Sequence, residues 1–320
     1  MMEERILRKA RADDCPRGAA GRSALGWAAA VLCLAASVPV RAAEPPRFSG
    51  ERALALATEF SALGPRVPGT KVHVRGRDYL AGTLRQLGAR VELEEFTAAR
   101  SLYAPGTRLT NVVARFNPDA PARVLLGAHW DSRPVADEDP DPRRRRDPVP
   151  GANDGASGTA VLLHLAELLR ARPAPIGVDL VFFDGEDGGI PDSVATYCLG
   201  SREHVRRLEA PRPAYVIVVD MVGDQELSLP AEGYSMNYAP ELVRMIWGRA
   251  AALGYTEFKL DPAGPIYDDH VPFLEAGIPA VDIIDFEYPY WHTVADTPDK
   301  LSARSLEVVG AVIVSLLYAP

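Results

Sequence analysis

Cysteine is scarce in this sequence. Its 320 residues include three, Cys15, Cys33 and Cys198, too few for a disulfide framework. A basic excess is also missing: 35 Lys and Arg stand against 43 Asp and Glu, for a formal net charge of −8. Nucleic acid is met by basic patches, so no nucleic-acid partner is expected. There is no internal repeat, no Gly-x-Ser-x-Gly elbow and no Walker loop, and no motif surrounds Cys198. The one long apolar run, Ala24 to Val38, falls short of the roughly 20 residues a membrane-spanning helix needs. At 47% hydrophobic and 24% charged residues, disorder, collagen and coiled coil are excluded as the main state.

What that apolar run does is set by its flanks. Arg5, Arg8, Lys9, Arg11, Arg17 and Arg22 precede it, and the small residues Ala42 and Ala43 follow Pro39. The pattern reads as a secretory signal peptide over residues 1–42, with no lipid-attachment pattern before Cys33. Export would leave the protein periplasmic or secreted, without a stable membrane anchor. The segment holds seven basic and four acidic residues, so its removal takes the formal charge from −8 to −11. It also takes two cysteines, leaving Cys198 with no partner for an intrachain disulfide.

The rest, residues 43–320, reads as one catalytic domain. Helical apolar spacing runs over Arg52–Leu63, Val74–Leu87, Thr159–Arg170, Pro240–Leu253 and Ser302–Tyr318. A Gly/Pro-rich loop, Gly64 to Thr70, separates the first two. Strand patterns cover Arg90–Phe96, Thr110–Phe116, Arg123–Ala128, Gly177–Phe183, Tyr215–Met221 and Pro279–Ile284. The later strands are apolar without alternation and alternate with helices, which indicates a sheet covered on both faces. The expected fold class is α/β: a single domain with a mostly parallel, mixed, twisted sheet and helices on both faces. The segment Asp137 to Asp147 (DEDPDPRRRRD) stands apart. It reads either as a solvated loop or as a rim of the site whose motifs flank it.

Residues of ligand type recur at strand ends, where sites assemble in open α/β sheets. His129 and Asp131 end one strand, and Asp131 is placed to orient His129 through its second ring nitrogen. Asp154 lies in Gly-Ala-Asn-Asp-Gly at a helix start, where an N-cap is the plain alternative. Glu186 and Asp187 sit between glycines after a buried strand; a metal would take one and leave the other as general acid/base. Asp220 ends another apolar strand, where it needs a partner. Asp268, Asp269 and His270 open a helix, again with an N-cap as the alternative. His292 follows Trp291 in an aromatic loop. Taken singly, each of these has a structural reading. Together they supply histidine and carboxylate ligands plus a base, which suits Zn²⁺ with an open position.

In this order the motifs carry a resemblance. Gly64-Pro65-Arg66-Val67-Pro68-Gly69, the strand into His129, the Asp154 loop, Phe182-Phe183-Asp184-Gly185-Glu186, Asp268-Asp269-His270-Val271-Pro272-Phe273 and Trp291-His292-Thr293 resemble the zinc aminopeptidase superfamily. Within it they look most like the bacterial glutaminyl-peptide cyclotransferases (glutaminyl cyclases). The resemblance implies one zinc on Asp154, Asp187 and His292, with aspartate at Asp187 where the cyclases have glutamate. It implies Glu186 as general acid/base, Asp268 hydrogen-bonded beside it, and Trp291 against substrate. In the two-metal aminopeptidases a second zinc is added by the counterparts of His129 and Asp220, with Asp154 bridging. This chain keeps that candidate second site, as the cyclases do without using it. Asp282 stands where animal cyclases place a histidine. The implied activity is conversion of N-terminal Gln of peptides to pyroglutamate with release of ammonia, on one zinc. The alternatives are a di-zinc aminopeptidase and a catalytically dead peptide-binding module. The expected partners are peptides with a free N-terminus, and the expected state is a monomer.

Overall fold

Apolar side chains of both parities line the central strands, and that alone requires covering both faces of the sheet. The computed structural model describes residues 44–98 and 100–318; the expected signal peptide lies outside the described residues. In chain order the elements begin with helices α1 (Gly50–Ser61) and α2 (Lys71–Gln86) and strands β1 (Arg90–Thr97), β2 (Arg108–Phe116) and β3 (Arg123–His129). Helix α3 (Ala156–Ala171), strand β4 (Gly177–Phe183), helix α4 (Leu199–Arg207), and strands β5 (Val216–Asp220) and β6 (Leu229–Ala231) follow. The chain then runs through α5 (Gly233–Tyr238), α6 (Pro240–Ala252), β7 (Phe258–Pro262), α7 (Val271–Glu275), β8 (Ala280–Ile284) and α8 (Ala303–Tyr318).

Six strands form one sheet in the order β1-β2-β4-β3-β5-β8. The pairs β4/β3, β3/β5 and β5/β8 are parallel, while β1/β2 and β2/β4 are antiparallel. The mixed, mostly parallel sheet is the one expected. On one face Leu126, Leu180, Ile217 and Ile283 pack under α1, α3 and α8 in the larger core. Their neighbours Leu125, Val181, Val218 and Ala280 point the other way and join Phe273 of α7 in a second core. Short elements escaped the sequence pattern. The two-stranded β6/β7 sheet and the six-residue α5 offer too few residues for a period to show. Helix α4 (LGSREHVRR) buries only Leu199, Gly200, Ser201 and His204.

The topology fixes where a site can form. From β3 the chain crosses to β4 on one side, then returns past β3 to β5 on the other. The order reverses at β3, so a crevice opens at the carboxyl ends of β3 and β5. His129 ends β3 and Asp220 ends β5. Helix α3 starts in this crevice and lies close on the sheet because of Gly158. A Cβ built there would lie 2.2 Å from the Val219 carbonyl oxygen and 3.1 Å from Ala128 Cβ. Alanine would gain about 1 kcal/mol of helix propensity at this position. The clash is with backbone, however, and overpacking of this kind costs typically 1–3 kcal/mol or more. Gly158→Ala is therefore expected to lower stability in denaturant unfolding by about 1–3 kcal/mol; a stabilised variant would contradict the packing described.

Candidate metal centre

Asp154 stands at the middle of the crevice. Its Oδ1 lies 3.0 Å from His129 Nε2 and its Oδ2 3.8 Å from His292 Nε2. His129 Nε2 is also 3.1 Å from Asp220 Oδ1, and His292 Nε2 is 3.1 Å from Asp187 Oδ1. All five ligand candidates from the sequence thus converge into two triads, His129–Asp154–Asp220 and Asp154–Asp187–His292, each with donor atoms within 4.8 Å of one another. Asp154 belongs to both. All five residues are buried.

The donors fit a bound cation. Asp154 Oδ2 and Asp187 Oδ2 are buried and have no hydrogen-bond partner among the described residues. Leaving such oxygens dry and unpaired is costly. The surrounding charge is negative enough that His292, against burial that would lower its pKa, is pushed up to about 9 by Asp187, Asp137 and Asp154. His129 is raised well above its usual value in the same way, burial again opposing, by Asp220, Asp131 and Asp154. Two imidazoles pulling in protons mark a place that favours positive charge, and histidine with carboxylate is the ligand mixture of zinc.

Asp154 is not the helix cap that its position allowed. Helix α3 begins at Ala156 with Gly155 as N-cap and no side-chain capping bond. Gly155 has φ +91°, and a Cβ there would meet the Asp131 carbonyl at 2.9 Å and His129 Cε1 at 3.0 Å; glycine is what the close approach requires. Asp154 is instead held from behind. Asp296 accepts the backbone N–H groups of Asn153 (2.8 Å) and Asp154 (3.2 Å) and the Tyr288 hydroxyl (2.8 Å). The cap reading fails for Asp268 as well, since α7 has His270 at its N-cap position.

Asp131 has a different job from the one expected. Its Oδ1 is 3.6 Å from His129 Nδ1, beyond a hydrogen bond, and that ring nitrogen has no hydrogen-bond partner among the described residues. Asp131 accepts instead from the backbone N–H groups of Glu186 and Asp187, both at 3.2 Å, and from the Tyr103 hydroxyl at 2.8 Å. It therefore fixes the loop that carries Glu186 and Asp187. Arg66, from the Gly/Pro-rich loop, is wholly buried and donates to the carbonyls of Trp130 (2.9 Å), Pro150 (3.1 Å) and Gly151 (2.6 Å). Burial lowers its pKa to about 10. It ties the loop after β3 to the loop before Asp154.

The Asp137–Asp147 segment is both things its sequence allowed. Arg143 to Arg146 are exposed. Its acidic half reaches the site: Asp137 Oδ1 lies 3.4 Å from His292 Nδ1, and Asp139 Oδ2 accepts the Val294 N–H at 3.1 Å. Asp137 is gripped by the buried Arg133, whose Nε and Nη2 donate to its two oxygens at 2.7 and 2.5 Å. The same guanidinium donates to the Asp187 carbonyl at 3.1 Å. Arg133 and Asp137 thus brace the two loops that bring Asp187 and His292 together. Sequence reasoning missed this brace. The only signal was the placement of carboxylates ahead of the arginines.

Glu186 is half-buried at the cleft wall. Burial, with Asp187, Asp268 and Asp269, holds its carboxyl well above the usual range, although His129 opposes. Asp268 is pushed up to about 6 by burial and by Asp220. An Asp268 oxygen and a Glu186 oxygen lie within 4.8 Å, but the expected hydrogen bond between them is not formed: Asp268 Oδ1 accepts the Asp269 N–H and its Oδ2 has no partner among the described residues. Asp282 is fully buried on β8, 3.8 Å from His270 Nδ1. Trp291 stacks on the His292 ring at 3.8 Å and 24° and meets Phe286 at 5.0 Å. With Tyr197, Ile266 and Tyr267 these residues line a cleft of about 260 Å³ that ends at the two triads. Cys198, Met221 and His292 flank this cleft with φ of 54°, 48° and 53°, in the left-handed region where side chains are strained.

An α/β switch-point crevice that gathers two histidines, three aspartates and a neighbouring glutamate defines a metal-dependent enzyme. The chain belongs to peptidase family M28, whose family model matches residues 111–317. Among solved structures it is similar to the glutaminyl cyclase of Tannerella forsythia, at 37% identity and TM-score 0.82, covering 86% of this chain and all of that one. It is also similar to a leucine aminopeptidase precursor from Bacteroides thetaiotaomicron, at 34% identity and TM-score 0.82, covering 87% and 99%. A curated relative is the glutaminyl-peptide cyclotransferase-like protein of Mus musculus, 29% identical over 285 residues, or 79% of this chain and 71% of that one.

The brace makes a checkable statement about affinity. Carboxylates behind a metal-bound histidine are worth about 10–100-fold in metal binding. Asp137→Ala is expected to weaken zinc retention by about that factor in competition with a chromophoric chelator. Retention equal to the parent would show that the brace does not act on His292.

Proposed function

We propose that this protein is an exported, zinc-dependent glutaminyl-peptide cyclotransferase, turning the N-terminal glutamine of peptides into pyroglutamate. The observation that carries the reading is the Glu186–Asp268 pair. Their oxygens lie within 4.8 Å of one another, and nearby like charge raises the proton affinity of a carboxyl group. Glu186 is thereby suited to take a proton from one nitrogen and give it to another. The similarity to glutaminyl cyclases, at 37% identity for the first compared, supports it.

The residues divide the work as follows. Asp154, Asp187 and His292 would hold the zinc, which supplies Lewis-acid polarisation of the substrate's side-chain amide. The bond formed joins the peptide's α-nitrogen to its own side-chain carbonyl carbon, and the bond broken releases the amide nitrogen. Glu186 accepts the proton that the α-nitrogen loses and returns it to the departing nitrogen, which leaves as ammonia. No water is consumed. Asp268, beside Glu186 on the cleft wall, tunes its proton affinity. Trp291 and Phe286 form the apolar wall that seats the glutamine side chain and keeps water from competing.

A second reading rests on the other triad. His129, Asp154 and Asp220 are also close enough to hold an ion, and two ions sharing Asp154 would suit a di-zinc aminopeptidase with Glu186 as base for water. The two readings share residues and differ in the attacking group and the ion count. Export rests on the signal-like segment 1–42, and no described helix is long and apolar enough to cross a membrane. A monomer acting on peptides with free N-termini completes the proposal.

The deciding assay pairs two substrates on zinc-loaded protein. Ammonia release from a Gln-initiated peptide, no cleavage of a leucine chromogenic amide and one zinc per chain are expected. Cleavage of the leucine amide with two zincs would replace the cyclase reading by the aminopeptidase. Glu186→Gln is expected to cut turnover by about 10²–10⁴-fold while keeping its metal; unchanged turnover would remove Glu186 from its role. Trp291→Ala should raise KM for the Gln peptide more than it lowers kcat. The reverse split would place Trp291 outside the binding wall.

A further inference from the structure

Behind Glu186 lies a group that neither reading of the reaction uses. Cys198 is fully buried, and its Sγ stands 3.4 Å from Glu186 Oε1. An Asp268 carboxylate oxygen completes a triangle in which the three donor atoms all lie within 4.8 Å of one another. The triangle is set by backbone. Cys198 has φ +54°, its N–H donates to the Glu186 carbonyl at 3.2 Å, and the Leu199 N–H donates to the Gly185 carbonyl at 3.2 Å.

A second observation points to a ligand there. Asp268 is 4% exposed, and while its Oδ1 accepts the Asp269 N–H, its Oδ2 has no hydrogen-bond partner among the described residues. The same holds for Asp269 Oδ2, whose Oδ1 accepts the Ser201 hydroxyl. Among the described residues no lysine or arginine forms an ion pair with Glu186, Asp268 or Asp269. Asp268 and Asp269 are buried and Glu186 half-buried; carboxylates left this way call for a cation, and a thiol beside them is a ligand for soft ions rather than for calcium or magnesium.

We propose that Glu186, Cys198 and Asp268 form a further cation site, distinct from the two aspartate–histidine triads, which takes a thiophilic divalent ion such as excess zinc or cadmium and thereby inhibits the enzyme. Binding replaces the S–H bond by a sulfur–metal bond, and the thiol proton leaves to solvent; nothing is oxidised or reduced. Burial, with Glu186, Asp269 and Asp268, holds the thiol well above its usual pKa. The free site therefore keeps its proton, and the ion must displace it. Inhibition follows because the ion occupies the Glu186 oxygen that would accept the substrate's proton. This consequence rests on Glu186 being the base, while ion binding does not.

The test uses the zinc-loaded full chain carrying Cys15→Ser and Cys33→Ser, so that Cys198 is its sole thiol. Cadmium chloride is titrated in, and ultraviolet thiolate-to-cadmium absorption, zinc content and turnover are followed together. The expected result is a thiolate band saturating at one cadmium per chain, with zinc retained and turnover lost along the same curve. Cys198→Ser should abolish the band and weaken inhibition, relative to that variant's own uninhibited rate, by about tenfold or more. Glu186→Gln keeps the thiol and should weaken cadmium binding, read from the band, by a similar factor; it serves if the serine variant does not fold. Three outcomes overturn the site: cadmium that replaces zinc without a thiolate band, inhibition of Cys198→Ser equal to the parent's, or cadmium affinity unchanged by Glu186→Gln. A band that forms while turnover persists overturns the inhibitory role alone.

Discussion

Asp154 offers one carboxylate oxygen toward His129 and the other toward His292, and the rest of the site is arranged around the charge it carries. Asp187 and Asp220 each bring a carboxylate oxygen within 4.8 Å of one from Asp154, one in each triad. A cluster of buried carboxylates is unfavourable unless something positive joins it. Arg133 approaches from the edge, at 3.5 Å from Asp187 Oδ1, but its two shortest bonds are to Asp137. The two histidines respond by drawing protons. A divalent cation would do what those protons do here, and would free both imidazoles to act as neutral ligands.

Holding the carboxylates in place takes structure at a distance. The reversal of strand order at β3 brings His129 and Asp220 to adjacent strand ends. Gly158 lets α3 lie on β5, and Gly155 lets the chain turn beside His129. Asp296, Asp131 and Arg66 then fix the loops through their main-chain groups. The side chains that face the cleft are thus left with few partners of their own. His292, Met221 and Cys198 adopt left-handed backbone conformations at the cleft, strain that the surrounding bonds sustain.

Much of this was legible in the sequence. Strands such as Gly177–Phe183 announced themselves by largely apolar runs, and two of them, β3 and β5, ended in His129 and Asp220. His129 and Asp220 meet through those strand ends, while Asp154, Asp187 and His292 come from the loops before α3, after β4 and after β8. The supporting residues were not legible, because their bonds join distant parts of the chain. Asp137 meets a histidine 155 residues later, and Arg66 reaches carbonyls 64 to 85 positions away. Asp131 shows the limit well: two positions from His129, it suggested a bond to that ring, yet the backbone of Glu186 and Asp187 claims it. The β6/β7 pair and α5 were missed because three to six residues carry no readable period.

The central claim is that the crowded carboxylates of the crevice are completed by zinc. It is tested most directly by X-ray diffraction from crystals of the purified protein, with data collected on both sides of the zinc absorption edge. The account predicts an anomalous peak within bonding distance of Asp154, Asp187 and His292 Nε2. Crystals of zinc-supplied protein with no peak among these three residues would contradict it.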